Sequence, residues 1–300
     1  MVVVQPDGRF PPLRIIGGKL TGTSIDTEVA SAQVKSCILF AGLAAEGRTI
    51  ITEPVRTRDH TERLLEALGA PIKEEILEGD MHRVQIEPFE PACFELEVPG
   101  DISSAAFLVG AALLCGDVTI EGVGLNPTRA AFVHQLRRMR GRLNVEQHEL
   151  QLGEPVGHIG AESSALAAIE IAGKDVPAVL DELPLIAVLA TQAEGETTVT
   201  GARELRVKES DRIDAIVTGL RKLGAEIHEL PDGFVVRGGR QLRGTDVDSA
   251  GDHRIAMALA VAGLVAEGET RVGGWQSAAV SWPGFEQVLR DLGADVEQAT

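Results

Sequence analysis

The stretch GLAAEGRTII at residues 42–51 decides the fold, because close variants of it recur three more times along the chain. In each copy an Ala- and Leu-rich segment meets a glycine and then a Thr- and Val-rich segment, a change from helix-like to strand-like composition. The other copies are AALLCGDVTI, ATQAEGETTV and GLVAEGETRV, and the four glycines are Gly47, Gly116, Gly195 and Gly268, at intervals of 69, 79 and 73 residues. A repeat of this length predicts a supersecondary unit that buries its apolar face against its neighbours.

A second phrase alternates with the first and consists of an amphipathic segment that closes on Leu-Gly-Ala before a strand. It reads EALGAPI at 66–72, RKLGAEI at 221–227 and RDLGADV at 290–296, with the degenerate RRMRGRLNV at 137–145. Glycine at the end of a helix adopts the left-handed conformation without strain, so both phrases predict helices that end at glycine. Together with turn signals at 78–80 and 231–233, each repeat predicts the order helix, strand, helix, strand, turn, strand.

The first repeat is incomplete, since only a strand-like stretch at 12–17 precedes a helix that begins near Ser31. Around Pro99 a strand gives way to a new unit. We therefore expect two domains, a partial first domain at residues 1–98 and a second at 99–300. The periodicity alone is also typical of a generic α/β repeat without catalytic activity.

The composition favours a core of small aliphatic residues, because 44% of the 300 residues are hydrophobic, only 3% are aromatic and tyrosine is absent. So few aromatic rings argue against stacking on nucleobases. The net charge of -17 repels nucleic acids and anionic membranes, and no basic tract offsets it. The sequence thus predicts neither a nucleic-acid nor a membrane partner, and an anionic substrate requires a local cluster of cations.

The sequence is typical of a soluble cytoplasmic protein. Cys37, Cys93 and Cys115 are scattered in apolar contexts, so we expect buried thiols in a reducing compartment. The first ten residues, MVVVQPDGRF, lack the pattern of a signal peptide, and the apolar stretches at 105–115 and 255–266 are too short to span a bilayer.

Several predicted helices begin with capping residues next to a polar or basic side chain, and a helix N-terminus offers free N–H groups to an anion. Ser31 can cap the helix after it, with Gln33 in the first turn, although an isolated Ser-x-Gln is more often a plain N-cap. Asp59 and Glu62 have the spacing of a capping box, which places Arg58 just outside a helix, where a guanidinium can bind phosphate.

The segment RVKESDR at 206–212 holds three cations and two carboxylates. If this segment is helical, Lys208 and Arg212 share a face, and Glu209 lies beside Arg212. A solvated charged helix face is one interpretation. An acid/base site is another, since a Lys-Glu pair among cations holds one proton donor and one acceptor ready.

Three further segments have plain structural interpretations when taken alone. Asn126 with a following proline is typical of a helix start. Asp181 and Glu182 precede an apolar helix at 183–193, and His253 precedes the apolar run 255–264. None of these segments decides the function by itself.

Taken together and in this order, the motifs resemble those of the EPSP synthases (3-phosphoshikimate 1-carboxyvinyltransferases), especially the bacterial subgroup with the SAQ and TRDHTE forms. The motifs are SAQVKS (31–36), EPVRTRDHTE (53–62), VPGDISSAAF (98–107), NPTR (126–129), DELPLIAV (181–188), RVKESDR (206–212) and GDHRIAMA (251–258). The resemblance runs from about Gly8 to Val296, and its most specific motifs are RVKESDR and DHRIAMA.

The resemblance implies an inside-out α/β barrel fold, in which two domains are each built from three βαβαββ units and the substrates bind in the cleft between them, with the first domain incomplete here. It implies transfer of an enolpyruvyl group from phosphoenolpyruvate to the 5-hydroxyl of shikimate 3-phosphate, with release of phosphate, in the shikimate pathway towards chorismate and aromatic amino acids. It implies no metal or organic cofactor, and a monomer whose partners are those two small anions.

The resemblance also assigns roles to individual residues. It implies shikimate 3-phosphate contacts from Ser31, Ala32, Gln33, Arg58, Asp181 and Lys208. It implies phosphoenolpyruvate contacts from Gln33, Arg212 and Arg254. Asp181 would be the base for the attacking hydroxyl, and Glu209, sharing the task with Lys208, would give a proton to the methylene carbon of phosphoenolpyruvate.

Two departures from the family pattern bear on activity. The family's N-terminal Lys-Ser and Arg motif and a later Asn-containing loop have no match, so we expect a chain that is truncated relative to the family and by itself inactive or nearly so. Gln276 stands where some members have a lysine, and no role is carried over to it.

Two alternatives remain at this point. UDP-N-acetylglucosamine enolpyruvyl transferase shares the fold and the chemistry, but it lacks the RVKESDR form and uses a loop cysteine as acid, whereas no cysteine here has a polar setting. The second alternative is a non-catalytic fragment that binds anions.

Overall fold

Two helices and a four-stranded sheet dominate the first of two units into which the chain divides. The structure, a computed structural model, describes residues 2–3, 14–173 and 175–297. The first unit comprises Met1–Glu97 and Leu150–Glu154, and the second comprises Val98–Glu149 and Pro155–Thr300. The chain passes from the first unit to the second between Glu97 and Val98, and the segment Leu150–Glu154 returns to the first unit.

The first unit contains short strands near its start and one complete repeat. Its elements are β1 (Val2–Val3), β2 (Arg14–Ile15), β3 (Leu20–Thr21), β4 (Ser24–Asp26), α1 (Ala32–Leu43), β5 (Ala45–Glu46), β6 (Thr49–Glu53), α2 (His60–Ala67), β7 (Ile72–Ile76) and β8 (His82–Ile86). The predicted strand at 12–17 begins outside the described residues and is represented by β2, whereas β3 and β4 were not predicted.

The four-stranded sheet of this unit has the order β4-β6-β8-β7. Strands β4 and β6 are parallel, and β8 pairs antiparallel with both β6 and β7. A 3-10 turn at Glu78–Asp80 joins β7 to β8, as predicted. The predicted order of elements in a repeat is therefore confirmed here.

Alternation along the strands buries charged groups in this unit as well as apolar ones. Every second residue of β6 is buried, so Ile51 packs with Leu39 and Leu65, and the same period buries Glu53 at the end of the strand. Strand β8 has the same pattern and buries His82 at its first position. The core of the unit is thus small and ends in a layer of charge.

The second unit contains the remaining helices and sheets. Its elements are α3 (Ile102–Cys115), β9 (Asp117–Gly124), α4 (Ala131–Arg138), β10 (Arg142–Gln151), β11 (Glu154–Glu162), β12 (Glu170–Ile171), α5 (Asp175–Val179), α6 (Leu183–Thr191), β13 (Glu196–Val199), α7 (Arg212–Lys222), β14 (Glu226–Leu230), β15 (Gly233–Arg237), β16 (Asp246–Asp248), α8 (His253–Gly263), β17 (Arg271–Gly273) and α9 (Phe285–Asp291).

One sheet of the second unit repeats the topology of the first unit. Its order is β12-β13-β15-β14, with β12 parallel to β13 and the other pairs antiparallel. A second sheet has the order β10-β11-β9, and a third pairs β16 parallel with β17. The strand expected before Pro99 is absent from the described residues 94–98, and only a parallel bridge between Gly100 and Val123 occupies that place.

The core of the second unit is built on helices that are apolar on all sides. All nine residues of α6 are buried, as are eleven residues of α3. A helix without a polar face is stable only when other elements surround it, and α6 packs against α3, α7 and α8. The predicted core of small aliphatic residues is confirmed, because most of its members are Ala, Val, Leu and Ile.

The second repeated phrase does end helices at glycine. In each of α2, α7 and α9 a glycine with positive φ follows the last capping residue, at Gly69, Gly224 and Gly293. In the degenerate copy Arg140 takes the same left-handed conformation, with φ 63°. The predicted C-terminal glycines of this phrase are therefore confirmed.

The same prediction holds for one copy of the first phrase and is wrong for the other three. Helix α3 ends with Gly116 as its C-cap, although this glycine is extended, with φ -160°, rather than left-handed. Helices α6 and α8 end four and five residues before Gly195 and Gly268. Helix α1 ends at Leu43, four residues before Gly47, because the intervening residues pair with a parallel segment. Glu194 and Glu267 form equivalent parallel bridges, with Ala167 and Arg243. In these three copies the residues before the glycine therefore form a short parallel bridge and not the last turn of a helix, although their apolar composition resembles a continuing helix.

Two other expectations from the sequence concern the burial of the cysteines and the lack of a membrane-spanning helix. The cysteines predicted as buried are all exposed, because apolar neighbours in sequence do not place a side chain on the buried face of its element. Among the described residues, no helix combines the length and the hydropathy that a membrane span requires.

Candidate functional site

A buried guanidinium lies at the centre of a charged cluster in the second unit. Arg212 exposes 1% of its side chain and donates Nε to Asp252 Oδ2 at 2.7 Å, Nη1 to Asp181 Oδ1 at 3.2 Å and Nη2 to Glu209 Oε2 at 2.6 Å. The guanidinium is planar, so charge-assisted bonds from its nitrogens fix the direction as well as the distance of each partner. Arg212 therefore sets the positions of two predicted catalytic carboxylates.

Three cations surround Asp181. In addition to Arg212, Lys208 Nζ lies 4.0 Å from Oδ1 of Asp181, and Arg254 Nη2 lies 3.8 Å from Oδ2. Arg254 also donates Nη1 to the backbone oxygen of Asp181 at 3.1 Å. The side chains of Asp181, Lys208 and Arg254 retain 19%, 25% and 14% exposure, so a small solute can reach them. The structure thus brings together all the site residues predicted in this unit, namely Asp181, Lys208, Glu209, Arg212 and Arg254.

Three helix N-termini meet at this cluster. We call it the Arg212 cluster, and it consists of Asp181, Lys208, Glu209, Arg212, Asp252 and Arg254. Asp181 lies in a 3-10 turn, Leu180–Glu182, directly before α6, and Arg212 is the first residue of α7. Asp252 caps α8 by accepting from the N–H of Arg254 at 2.8 Å. The positive ends of three helix dipoles therefore add to the side-chain cations, an arrangement that favours anions.

The predicted helical pairing within 206–212 was wrong. A 3-10 turn ends at Val207, Lys208 is extended with φ -77° and ψ -157°, and α7 begins only at Arg212. The helix starts there because Asp211 accepts from the N–H of Asp214 at 3.0 Å, as an N-cap does. The expected contact of Glu209 with Arg212 forms across this cap.

Lys208 has a second carboxylate partner at the surface. Its Nζ lies 2.6 Å from Oε1 of Glu204, whose side chain is 64% exposed. This contact is shorter than the 4.0 Å distance to Asp181. An exposed carboxylate therefore competes for the same ammonium group.

Burial sets the charge of the groups beneath the surface of the cluster. Burial raises the pKa of Asp252, but the hydrogen bond and charge of Arg212 outweigh it and hold the pKa below its usual value. Burial raises the pKa of Glu182, and a bond from Ser103 and the charge of Arg254 reduce this rise only in part. Asp252 is therefore the ionised partner of Arg212.

The pKa of His253 lies below the usual value for histidine. Burial lowers its pKa, and the neighbouring positive charge of Arg254 lowers it further. The imidazole of His253, next to the Arg212 cluster, is therefore predominantly neutral at pH 7.

In the first unit, the N-terminus of α1 carries three predicted ligands. Ser31 is its N-cap, and its Oγ accepts from the N–H of Val34 at 3.4 Å, as predicted. Ala32 is the first helical residue, and Gln33 is exposed in the first turn. These groups and the free N–H groups of the first turn lie at the surface of the unit.

Arg58 lies in the loop that leads into α2, and its side chain is exposed. A buried carboxylate holds the residue before it, because Glu53 accepts from the N–H of Thr57 at 3.1 Å and from its hydroxyl at 2.7 Å. The position of Arg58 at the mouth of a helix, predicted from the sequence, is confirmed.

The capping box predicted next to Arg58 was wrong. Asp59 is the N-cap residue of α2, but its side chain makes no capping bond and pairs with Arg56 and Arg63, at 3.0 Å each. Glu62 turns inward and lies 2.6 Å from Lys35 Nζ. Two nearby arginines and a buried lysine outcompete the backbone N–H groups for these carboxylates.

The predicted site residues therefore form two groups, one in each unit. Ser31, Ala32, Gln33 and Arg58 belong to the first unit, and the members of the Arg212 cluster belong to the second. Asn126, predicted to start a helix, instead caps its own turn by accepting from the N–H of Thr128 at 2.8 Å, five residues before α4 begins.

Several residues that support the two groups were missed from the sequence. In the second unit these are Asp252, Glu182, Ser103 and Arg129. In the first unit they are Lys35, Glu53, Glu62, His82 and Glu74. The period-two pattern of β6 and β8 was a signal for the burial of Glu53 and His82, since both continue an apolar row.

Comparisons with known proteins show that the chain is similar to the members of one family. The family model for EPSP synthase (3-phosphoshikimate 1-carboxyvinyltransferase) matches residues 1–289. A 3-phosphoshikimate 1-carboxyvinyltransferase of Desulforamulus reducens is 47% identical over 94% of this chain and 65% of its own length, and one of Carboxydothermus hydrogenoformans is 46% identical over 97% and 68%. The chain thus spans about 65% of the length of the first of these relatives.

A solved structure is similar over the whole chain. The 2.37 Å structure of EPSP synthase from Acinetobacter baumannii has a TM-score of 0.91 and 38% identity, and the match covers 100% of this chain and 69% of that one. The α/β fold predicted from the repeats and the resemblance is confirmed by this match.

Proposed function

The chain belongs to the EPSP synthase family, and from this premise we propose that it serves the transfer of an enolpyruvyl group from phosphoenolpyruvate to the 5-hydroxyl of shikimate 3-phosphate. Phosphate is the second product. The reaction is a step of the shikimate pathway towards chorismate and aromatic amino acids. The observation that carries the proposal is the convergence of Lys208, Arg212 and Arg254 on Asp181.

The addition step needs a base and an acid close together. The 5-hydroxyl oxygen bonds to C2 of phosphoenolpyruvate, gives its proton to Asp181, and the carbon–carbon double bond takes a proton at C3. Glu209, with Lys208, supplies that proton. Arg212 supports these roles because it contacts Asp181 and Glu209 through different nitrogens, at 3.2 and 2.6 Å, and so keeps the two carboxylates apart and oriented.

The elimination step completes the balance of atoms. The C2–O bond to phosphate breaks, C3 returns a proton to the Glu209 carboxylate, and the double bond forms again in the product. The proton that Asp181 took in the addition step leaves with the phosphate. The developing charge on phosphate requires preorganised cations. Arg254 is suited to this because its guanidinium is partly exposed and lies beside three helix N-termini, whereas Arg212 is committed to three carboxylates and contributes mainly as a buried charge.

The first unit supplies the remaining contacts to shikimate 3-phosphate in this proposal. Ser31, Ala32 and Gln33 offer a hydroxyl, N–H groups and an amide at the start of α1. Arg58 offers a guanidinium, which binds phosphate through two parallel bonds. Lys208 and Asp181 of the second unit are also predicted to contact shikimate 3-phosphate.

Substitution of Asp181 tests the assignment of the base. The variant is made in a version of the chain extended to the full length of its relatives. There Asp181→Asn keeps the size of the side chain and its acceptor oxygen for Arg212 but removes the base, so we expect turnover to fall by about 10²- to 10⁴-fold with a much smaller change in affinity for shikimate 3-phosphate. The measurement is phosphate release from the two substrates, alongside calorimetric binding. Asp248→Asn, at an exposed aspartate of β16, is the control. Equal losses in turnover and affinity would contradict the role of base.

A second candidate function, anion binding without turnover, is favoured by the cations and the helix N-termini that meet at the Arg212 cluster. The same two assays separate the functions, because a binding chain gives a calorimetric signal and no phosphate. Replacing shikimate 3-phosphate by UDP-N-acetylglucosamine tests the alternative acceptor. Turnover with that acceptor alone would overturn the proposed substrate.

A further inference from the structure

A second charged cluster lies wholly inside the first unit and has no place in the reaction described above. Lys35 Nζ is 2.8 Å from Glu53 Oε1 and 2.6 Å from Glu62 Oε1, and all three side chains expose 1% or less. His82 extends the cluster, with Nδ1 2.8 Å from Glu53 and Nε2 3.0 Å from Glu74. These five residues are named the Lys35 cluster.

Buried ion pairs are poor devices for stability alone. Removing charges from water costs free energy that their attraction recovers only in part, and apolar residues of similar volume often stabilise a fold at least as well. The surrounding core is apolar, with Leu39, Leu65 and Val84 fully or almost fully buried. The ionic cluster is therefore open to a role beyond stability.

The partners of Lys35 belong to the two segments that carry the predicted shikimate 3-phosphate ligands. Lys35 lies one turn into α1, and its N–H donates to the backbone oxygen of Ser31 at 3.0 Å. Glu62 is in the first turn of α2. Glu53 accepts hydrogen bonds from the N–H and from the hydroxyl of Thr57, the residue before Arg58.

A second contact joins the same two helices near their starts. Ser36 Oγ lies 2.7 Å from Thr61 Oγ1, within hydrogen-bonding distance. The first turns of α1 and α2 are therefore held side by side through Lys35 and through this hydroxyl pair. Ser31 to Gln33 and Arg58 lie at the ends of the two segments that these contacts join.

We propose that Lys35 is a positioning residue for shikimate 3-phosphate, which fixes the N-terminus of α1 relative to the Arg58 loop through Glu53 and Glu62. The inference rests on the proposed function. Lys35 is buried and touches no substrate, so it acts through the placement of Ser31, Gln33 and Arg58. Misplacement of binding groups by about 1 Å is enough to cost orders of magnitude in the function of a site.

The test uses a charge-balanced variant of the 300-residue chain. Lys35→Met/Glu62→Gln removes one positive and one negative group and leaves the pair of Glu53 and His82 intact. We expect shikimate 3-phosphate to bind about ten- to a hundredfold more weakly by calorimetry. Phosphoenolpyruvate binding should weaken less, because of its three predicted contacts only Gln33 lies in the first unit, whereas Arg212 and Arg254 lie in the second. Leu39→Ala, a cavity in the same helix, is the matched control: it lowers the melting temperature but leaves shikimate 3-phosphate affinity unchanged.

The outcomes separate this inference from the proposed function. Weak binding by the double variant and normal binding by Leu39→Ala support positioning by Lys35. Equal weakening in both variants, or unchanged binding in a folded double variant, overturns it and leaves the proposed function standing. If the unaltered chain binds no shikimate 3-phosphate, the proposed function fails for this chain and the inference fails with it.

A second readout needs no substrate. If the double variant loosens the Arg58 loop, the amide hydrogen of Thr57 exchanges at least about tenfold faster, whereas amides in the centre of α6 in the second unit keep their rates. Unchanged exchange at Thr57 contradicts the proposed linkage even where binding falls.

Discussion

The Arg212 cluster and the Lys35 cluster both have a buried cation with several carboxylate partners, but they differ in what the cation touches. Arg212 directly contacts Asp181 and Glu209, groups that reach the surface. Lys35 contacts Glu53 and Glu62, which are themselves buried. The comparison teaches that a buried charge can orient side chains directly, as Arg212 does for the proposed catalytic groups of the second unit, or orient the backbone, as we propose for Lys35 and the binding groups of the first.

Removal of the central guanidinium should give the largest effect. Arg212→Leu leaves Asp252, which has no exposure, without its cation, and we expect a loss of about 3–5 kcal/mol in the free energy of unfolding. Urea denaturation measures it. Asp252→Asn in the same chain removes the uncompensated charge and keeps an acceptor for the α8 cap, so the double variant should recover part of the loss. A loss under about 1 kcal/mol would contradict the view that Arg212 organises the cluster.

The pH dependence of stability should single out the Lys35 cluster. The pKa of His82 is raised from 6.5 to about 9, mainly by its hydrogen bond to Glu53 and secondly by its hydrogen bond to Glu74. Burial and the charge of Lys35 lower this pKa, but by less. The protonated imidazole therefore stabilises the fold fully below pH 6.5, and this contribution is lost as the pH rises through 9. At about 1.36 kcal/mol per pKa unit, the contribution is on the order of 3 kcal/mol.

The variant His82→Gln provides the measurement. The difference in unfolding free energy between the unaltered chain and His82→Gln should shrink as the pH rises from 6.5 to 9, since other titrating groups contribute equally to both. At the acid side, Glu53 has a pKa lowered to about 2, because the bonds from His82, Lys35 and Thr57 together outweigh the effect of burial, so its contribution is present above pH 4.5 and is lost below it. A pH-independent difference would contradict the charged state of His82.

The two clusters also differ in how far the sequence predicted them. Asp181, Lys208, Glu209, Arg212 and Arg254 stand in specific motifs, so the resemblance grouped them, and the structure places them together. The Lys35 cluster was missed because it joins two helices, α1 and α2, to three strands at a distance in sequence. A lysine in an apolar helix also has no local signal for burial. The repeat predicted the order of elements, but helix ends depended on parallel bridges that only the assembled sheets form.

Loss of the partly exposed guanidinium of Arg254 should have an intermediate effect, and this effect should fall on phosphoenolpyruvate binding rather than on stability. Arg254→Ala removes a partly exposed charge beside three helix N-termini, so we expect phosphoenolpyruvate to bind about tenfold more weakly, as for a charged hydrogen bond of about 1.5 kcal/mol. The matched control is Arg237→Ala, an exposed arginine on β15 of the same unit. Calorimetry with phosphoenolpyruvate measures the change. A loss of stability like that of Arg212→Leu would show that Arg254 is part of the buried framework.

The smallest effect concerns the surface of the Arg212 cluster. Glu204 holds Lys208 Nζ at 2.6 Å but is 64% exposed, and an ion pair at the surface contributes only about 0.2–1 kcal/mol. Glu204→Gln therefore frees Lys208 at little cost, and we expect shikimate 3-phosphate affinity to rise by about twofold, with the larger gain at low salt. Calorimetric titrations at two salt concentrations measure it, with Glu196→Gln on β13 as control. A tenfold or larger gain would mean that Glu204 holds Lys208 away from its substrate, and that the surface pair, rather than Arg212 beneath it, sets the geometry of the site.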